Sequence, residues 1–161
     1  VESNDPPLLA DSAIGQYSDA VTPMQMAMVA AGIANHGVVM RPYLVAETKA
    51  PDNSVLSRAV PHELGRAVTG NVAGELRSMM ERVVNEPGGT GGAAAIPGIT
   101  VAGKTGTAEN QPGEPTHAWF IAFAPAAAPR IAVAVLVEHG GVGGVTAAPI
   151  ARSVMCAVLS C

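Results

Sequence analysis

A chain of 161 residues, 48% hydrophobic and 14% charged, is long enough to bury a core and too apolar to stay disordered. A net charge of −4 with no basic stripe argues against a nucleic-acid partner. The longest wholly apolar run, residues 131–137, is far too short to span a bilayer, and no signal-peptide pattern is present.

Residues 1–20 are polar and proline-bearing and read as loop. Thr22-Pro23 is a helix start, with threonine as N-cap and proline in the first turn. Met24, Met28 and Ile33 then recur at helical spacing until Gly37 ends the run, and core packing explains the methionines. Residues 38–49 read as strand, Pro51 to Ser54 as a turn, and residues 55–60 as a return strand. A second helical pattern covers residues 71–85 (Val72, Leu76, Met79, Met80, Val83), with Asn71 as a candidate cap. Residues 86–92 (EPGGTGG) read as a flexible connector.

Strands follow at residues 99–108, 118–124 and 130–138, and their short links favour antiparallel neighbours. The glycines at 140–144 imitate a dinucleotide turn but fail its pattern, because Thr146 stands where the third glycine belongs. Residues 147–159 read as an apolar helix covering the sheet. The fold class is therefore mixed α/β (α+β), an antiparallel sheet covered by helices. Cys156 and Cys161 are too far apart within one helix to bond; a helix ending near Leu159 would let a turn join them, and free thiols remain the alternative.

Residues 101–109 (VAGKTGTAE) carry the chemistry, and they fit two incompatible machines. Residues 98–105 (GITVAGKT) match the phosphate-loop pattern. That loop needs small residues that curl around phosphates and a helix opening at the Lys-Thr. Here Ile99, Thr100 and Val101 are β-branched and favour strand, while Gly106, Pro112, Gly113 and Pro115 forbid a helix. The match is accidental. As a strand, the segment places Thr105 and Thr107 on one face and Lys104 and Gly106 on the other, unless a twist or bulge re-aims the lysine. An ammonium beside threonine hydroxyls suits a substrate carboxylate and can stabilise developing negative charge. Gly106 clears room for a ligand to approach the backbone, and a free N–H on such an edge can serve as an oxyanion donor. His117 and Glu114 border this strand, and a packing or hydrogen-bonding role is preferred for the histidine over acid–base catalysis. Four scattered histidines and two terminal cysteines give no metal site, and residues 110–116 form a candidate rim.

Residues 12–16 (SAIGQ), 22–27 (TPMQMA), 34–42 (ANHGVVMRP), 104–109 (KTGTAE) and 117–125 (HAWFIAFAP) occur in this order over nearly the whole chain. Together they resemble the C-terminal half of a class B penicillin-binding protein's transpeptidase domain, of the actinobacterial A type. The resemblance implies the penicillin-binding transpeptidase / serine β-lactamase-like fold, with a five-stranded sheet completed upstream. It implies a D,D-transpeptidase that cross-links peptidoglycan stem peptides through an acyl-serine intermediate and is trapped by β-lactam antibiotics. Lys104, Thr105 and Gly106 match the family's third motif. Thr107 matches the position whose N–H completes the oxyanion hole and whose hydroxyl, with that of Thr105, meets the carboxylate. The resemblance thus makes Lys104 and Thr107 catalytic and Thr105, Gly106 and Thr107 substrate-binding, with no cofactor and no metal.

Neither Ser-x-x-Lys nor Ser-x-Asn occurs: Ala46 and Val101 stand three residues before the two lysines, Lys49 and Lys104. Both motifs lie upstream in the family. Residues 1–161 are therefore expected to be the C-terminal portion of one transpeptidase domain, whose missing N-terminal half carries the nucleophile and a membrane anchor. Such an enzyme would work at the extracytoplasmic face of the plasma membrane beside other cell-wall synthesis proteins. The rivals are a serine β-lactamase or carboxypeptidase of the same superfamily and a non-catalytic β-lactam sensor module.

Overall fold

A computed structural model describes residues 6–16, 19–109 and 113–161. The first element corrects the reading of residues 1–20 as loop: α1 spans Pro6–Ala13. Its proline sits at the first helical position, where a missing N–H costs nothing, so the residue that suggested a loop begins a helix. Helix α2, Pro23–Ala34, starts as expected. The Thr22 hydroxyl accepts the Gln25 N–H at 3.2 Å, and the Gln25 side chain accepts the Thr22 N–H at 2.8 Å, a reciprocal capping box. Gly37 follows with φ +87°, and a methyl there would strike the Val68 carbonyl, so only glycine closes this turn.

The single strand expected over residues 38–49 is two: β1, Val38–Met40, and β2, Glu47–Lys49. Strand β3, Val55–Arg58, returns along β2, and an unexpected β4, Glu63–Arg66, returns along β1. Pro42 lacks a ladder donor, and residues 41–46 leave the pairing there. The expected turn forms: Asp52 accepts both the N–H (2.9 Å) and the hydroxyl (2.6 Å) of Ser54, which holds its carboxyl below the ordinary value. Glu47 is likewise held low, first by Lys49 and then by Arg58. Helix α3, Gly70–Asn85, is capped by Thr69 instead of Asn71, the Thr69 hydroxyl accepting the Val72 N–H at 3.4 Å. The glycine-rich segment after it is no flexible connector. Gly91 N–H donates to the Val83 carbonyl at 2.9 Å, Gly92–Ala94 form a 3-10 turn, and Ala94 is fully buried.

The main sheet has the order β5-β6-β7, all antiparallel: β5 is Ala102–Ala108, β6 His117–Ala124 and β7 Ile131–Val137. β6 is central and apolar on both faces, as a strand covered twice must be. Ala118, Phe120, Ala122 and Ala124 join one core cluster with α4, while Ile121 and Phe123 join another with Ala30 of α2 and Met80 of α3. Phe120, Phe123, Met155 and Val101 are the largest fully buried side chains, each contributing about 1.5–3 kcal/mol by leaving water. With so few aromatics, most of the remaining core is alanine, and the layers approach closely.

Helix α4, Gly143–Leu159, begins four residues before the expected start, because Gly143 and Gly144 are drawn into its first turn. It ends at Leu159, and Ser160 turns left-handed at φ +61°. The N–H groups of Ser160 and Cys161 both reach the Cys156 carbonyl, at 2.9 and 3.3 Å. This turn brings the Cα atoms of Cys156 and Cys161 to 4.9 Å, and the two form a disulfide. Closing so short a loop stabilises by about 2 kcal/mol through lost freedom of the unfolded chain. Reduction is therefore expected to lower the free energy of unfolding in urea by about 2 kcal/mol, with secondary structure retained in the native state.

Candidate functional site

The motif strand β5 lies at the sheet's edge, paired on one side only. Its register with β6 runs without a bulge from Ala102↔Phe123 to Ala108↔His117. Gly103, Thr105 and Thr107 therefore share the face of Ala122, Phe120 and Ala118, toward α4, and Lys104 and Gly106 share the opposite face with Ile121 and Trp119. The expected alternation holds. Lys104 is nevertheless re-aimed, by the length of its side chain and not by a bulge: its ammonium curls to the open edge and donates to the Thr105 carbonyl at 2.6 Å. Among the described residues it forms no ion pair.

Side-chain donors fix the direction of the main chain. Asn85 Nδ2 reaches the Val101 carbonyl at 2.8 Å, Lys104 Nζ that of Thr105, and Gln16 Nε2 that of Thr107 at 3.2 Å. Gln16 Oε1 accepts the Glu109 N–H at 3.4 Å. All of these partners lie away from β6, so the odd-numbered residues turn their backbone groups outward. A strand residue sends its N–H and C=O to the same side. The Thr105 and Thr107 N–H groups thus face the open edge, flanked by the Lys104 ammonium.

The Thr105 hydroxyl is 2.8 Å from that of Thr90, in the glycine-rich segment that sequence reasoning took for a connector. Thr107 is exposed. Gly106 and Trp119 lie under the start of α4: a methyl on Gly143 would collide with the Trp119 carbonyl and the Gly106 backbone. The glycine at 143 therefore sets how closely α4 can approach the motif. Gln16 and Thr90 were missed as site residues. Gln16 had a signal, as the last residue of the SAIGQ segment, whereas a threonine among glycines had none.

Beyond β5 the chain returns through residues 110–116, the expected rim, of which 110–112 lie outside the described residues. His117 Nδ1 accepts the His139 N–H at 3.0 Å, and the two imidazoles meet edge-on at 4.9 Å. Glu114 faces His139, at 3.7 Å, and so forms no acid–base pair with His117. Among the described residues no group of three or more His, Cys, Asp or Glu could hold a metal. An apolar groove of about 330 Å³, lined by Met28, Ile33, Val39 and Leu76 among others, shares no residue with β5.

Residues 7–156 match the model of the penicillin binding protein transpeptidase domain. The chain is 47% identical over 166 residues to the peptidoglycan D,D-transpeptidase PbpA of Mycolicibacterium smegmatis, covering 96% of this chain and 33% of that protein. It is 36% identical to the peptidoglycan D,D-transpeptidase MrdA of Haemophilus influenzae, over 88% of this chain and 24% of that one. The structure of penicillin-binding protein A from M. tuberculosis as an imipenem acyl-enzyme complex superposes with a TM-score of 0.87 at 46% identity. That match covers 97% of this chain and 35% of the other. The chain thus spans about a quarter to a third of the length of these curated relatives.

The contact of Gly143 with Gly106 and Trp119 is directly testable. Gly143→Ala is expected to force α4 off the strand pair and cost about 1–3 kcal/mol in urea unfolding, as overpacking of a full core does.

Proposed function

The chain belongs to the penicillin-binding protein transpeptidase domain family, and we propose on that footing that residues 1–161 are the C-terminal portion of one D,D-transpeptidase domain. Its nucleophilic serine stands on a segment upstream of these residues. The observation that carries this reading is the open edge of β5, where the Thr105 and Thr107 N–H groups face outward beside the Lys104 ammonium.

In the proposed reaction the serine oxygen attacks the carbonyl of the penultimate D-alanine of a stem peptide. The carbonyl oxygen gains negative charge in the tetrahedral intermediate and takes the Thr107 N–H. Such a donor acts most strongly on the charge that develops as the reaction proceeds. The substrate's terminal carboxylate takes the hydroxyls of Thr105 and Thr107, with Lys104 supplying the positive field. Gly106, without a side chain, leaves the backbone approachable. The terminal D-alanine leaves, and the acyl group passes to the amine of a neighbouring stem peptide. A β-lactam carries the same carbonyl and carboxylate, but its leaving nitrogen stays tethered, so it acylates the serine and remains.

Work on peptidoglycan places the protein outside the cytoplasm. The Cys156–Cys161 disulfide supports an oxidising compartment. We place it at the extracytoplasmic face of the plasma membrane, anchored by the N-terminal part of the same protein and working beside other cell-wall synthesis proteins.

The test is labelling of the intact protein with a fluorescent penicillin, followed by peptide mapping. A stable ester on a serine upstream of these residues is expected. Absence of a covalent serine adduct would sink the reading, and rapid release of the label would make the protein a β-lactamase. Lys104→Ala in the same protein is expected to slow acylation by about a hundredfold or more without changing its melting temperature. Unchanged acylation would remove Lys104 from the site.

A further inference from the structure

We propose that Gln16 is a positioning residue for the oxyanion-donating edge of β5, an inference that rests on the transpeptidase reading above. The Gln16 carboxamide donates to the Thr107 carbonyl at 3.2 Å and accepts the Glu109 N–H at 3.4 Å. These two bonds straddle Ala108, as a residue on a neighbouring parallel strand would. One side chain therefore stands in for a strand that the edge lacks. The clamp holds the outward carbonyl of Thr107, and in extended backbone the N–H of the same residue points the same way. Gln16 thereby fixes the direction of the Thr107 N–H without touching substrate.

Local structure delivers the side chain to that place. The Gly15 N–H bonds the Ser12 carbonyl at 3.0 Å, and the Gln16 N–H bonds the Asp11 carbonyl at 3.0 Å. With Gly15 left-handed at φ +77°, this pair of bonds is a Schellman ending for α1. Gln16 is the residue the ending sets just beyond the helix. A short helix with no fully buried residue thus acquires a purpose: its closing turn aims one carboxamide at the motif strand.

Two substitutions in the intact protein separate positioning from mere stability. Gln16→Ala removes both bonds. Gln16→Glu keeps the shape and the acceptor for the Glu109 N–H but sets an oxygen against the Thr107 carbonyl at neutral pH. With labelled penicillin, the limiting acylation rate of both variants is expected to fall about ten- to hundredfold, as small misplacements of a catalytic dipole do. The half-saturating concentration is expected to move less than about threefold. The glutamate variant carries a further signature. As the pH falls toward the carboxylic acid range, its side chain regains a donor, and its rate relative to wild type is expected to rise. Hydrogen exchange of the Glu109 amide, faster in both variants than in wild type, reads the clamp itself.

Limiting rates equal to wild type in both variants would overturn the proposal. So would equal losses in rate and binding with no recovery of the glutamate variant at low pH. Should Gln16→Ala fail to fold, the isosteric glutamate decides alone. Should wild type take no label, the transpeptidase reading fails separately, and exchange at Glu109 still decides the clamp: an unchanged rate overturns it.

Discussion

An edge strand has backbone groups that nothing in its own sheet can satisfy, and β5 is such a strand. The remedy found here is one-sided. The outward carbonyls of Val101, Thr105 and Thr107 are taken by the side chains of Asn85, Lys104 and Gln16. The outward N–H groups of Thr105 and Thr107 keep no protein acceptor among the described residues. A second strand needs alternating donors and acceptors, so it finds a poor template. An anion, or an oxygen becoming one, needs donors alone. The same bonds that protect the edge from strand addition therefore set the donor polarity on which the proposed acyl chemistry rests.

The core holds that edge in place through small side chains. β6 carries alanine at three of its eight positions, with Phe120 and Phe123 pointing to opposite faces. Against this thin strand α4 begins on glycine, close enough that its first turn touches the backbone of Gly106. On the other face α2 and α3 cover the sheet, and Asn85 at the end of α3 reaches the start of β5. The motif strand is thus fixed from both faces and from its start.

Where local chemistry decides structure, the sequence was legible. The capping box at Thr22, the turn at Asp52 and Ser54, the three strands of the main sheet and the end of α4 at Leu159 all follow from rules acting over a few residues. The alternation that separates Thr105 and Thr107 from Lys104 and Gly106 was legible for the same reason. Contacts across long separations were not. β4 (ELGR) has one large apolar residue and no period, and it is a strand only because β1 lies beside it. The segment EPGGTGG looks like a hinge until Val83 and Thr105 are placed against it. Gln16 lies 91 residues from the carbonyl it holds, beyond anything that spacing can announce.

The pairing of Thr90 with Thr105 has one more implication. Two hydroxyls 2.8 Å apart share a single proton between their oxygens, and either can supply it. If Thr105 turns its own proton toward a substrate carboxylate, as proposed above, its oxygen is free to accept one from Thr90. The pair then becomes a short relay in which both O–H dipoles point the same way, each polarising the next. A rotation of two hydrogens, with no heavy atom moved, converts a resting contact within the fold into a directed donor for a ligand.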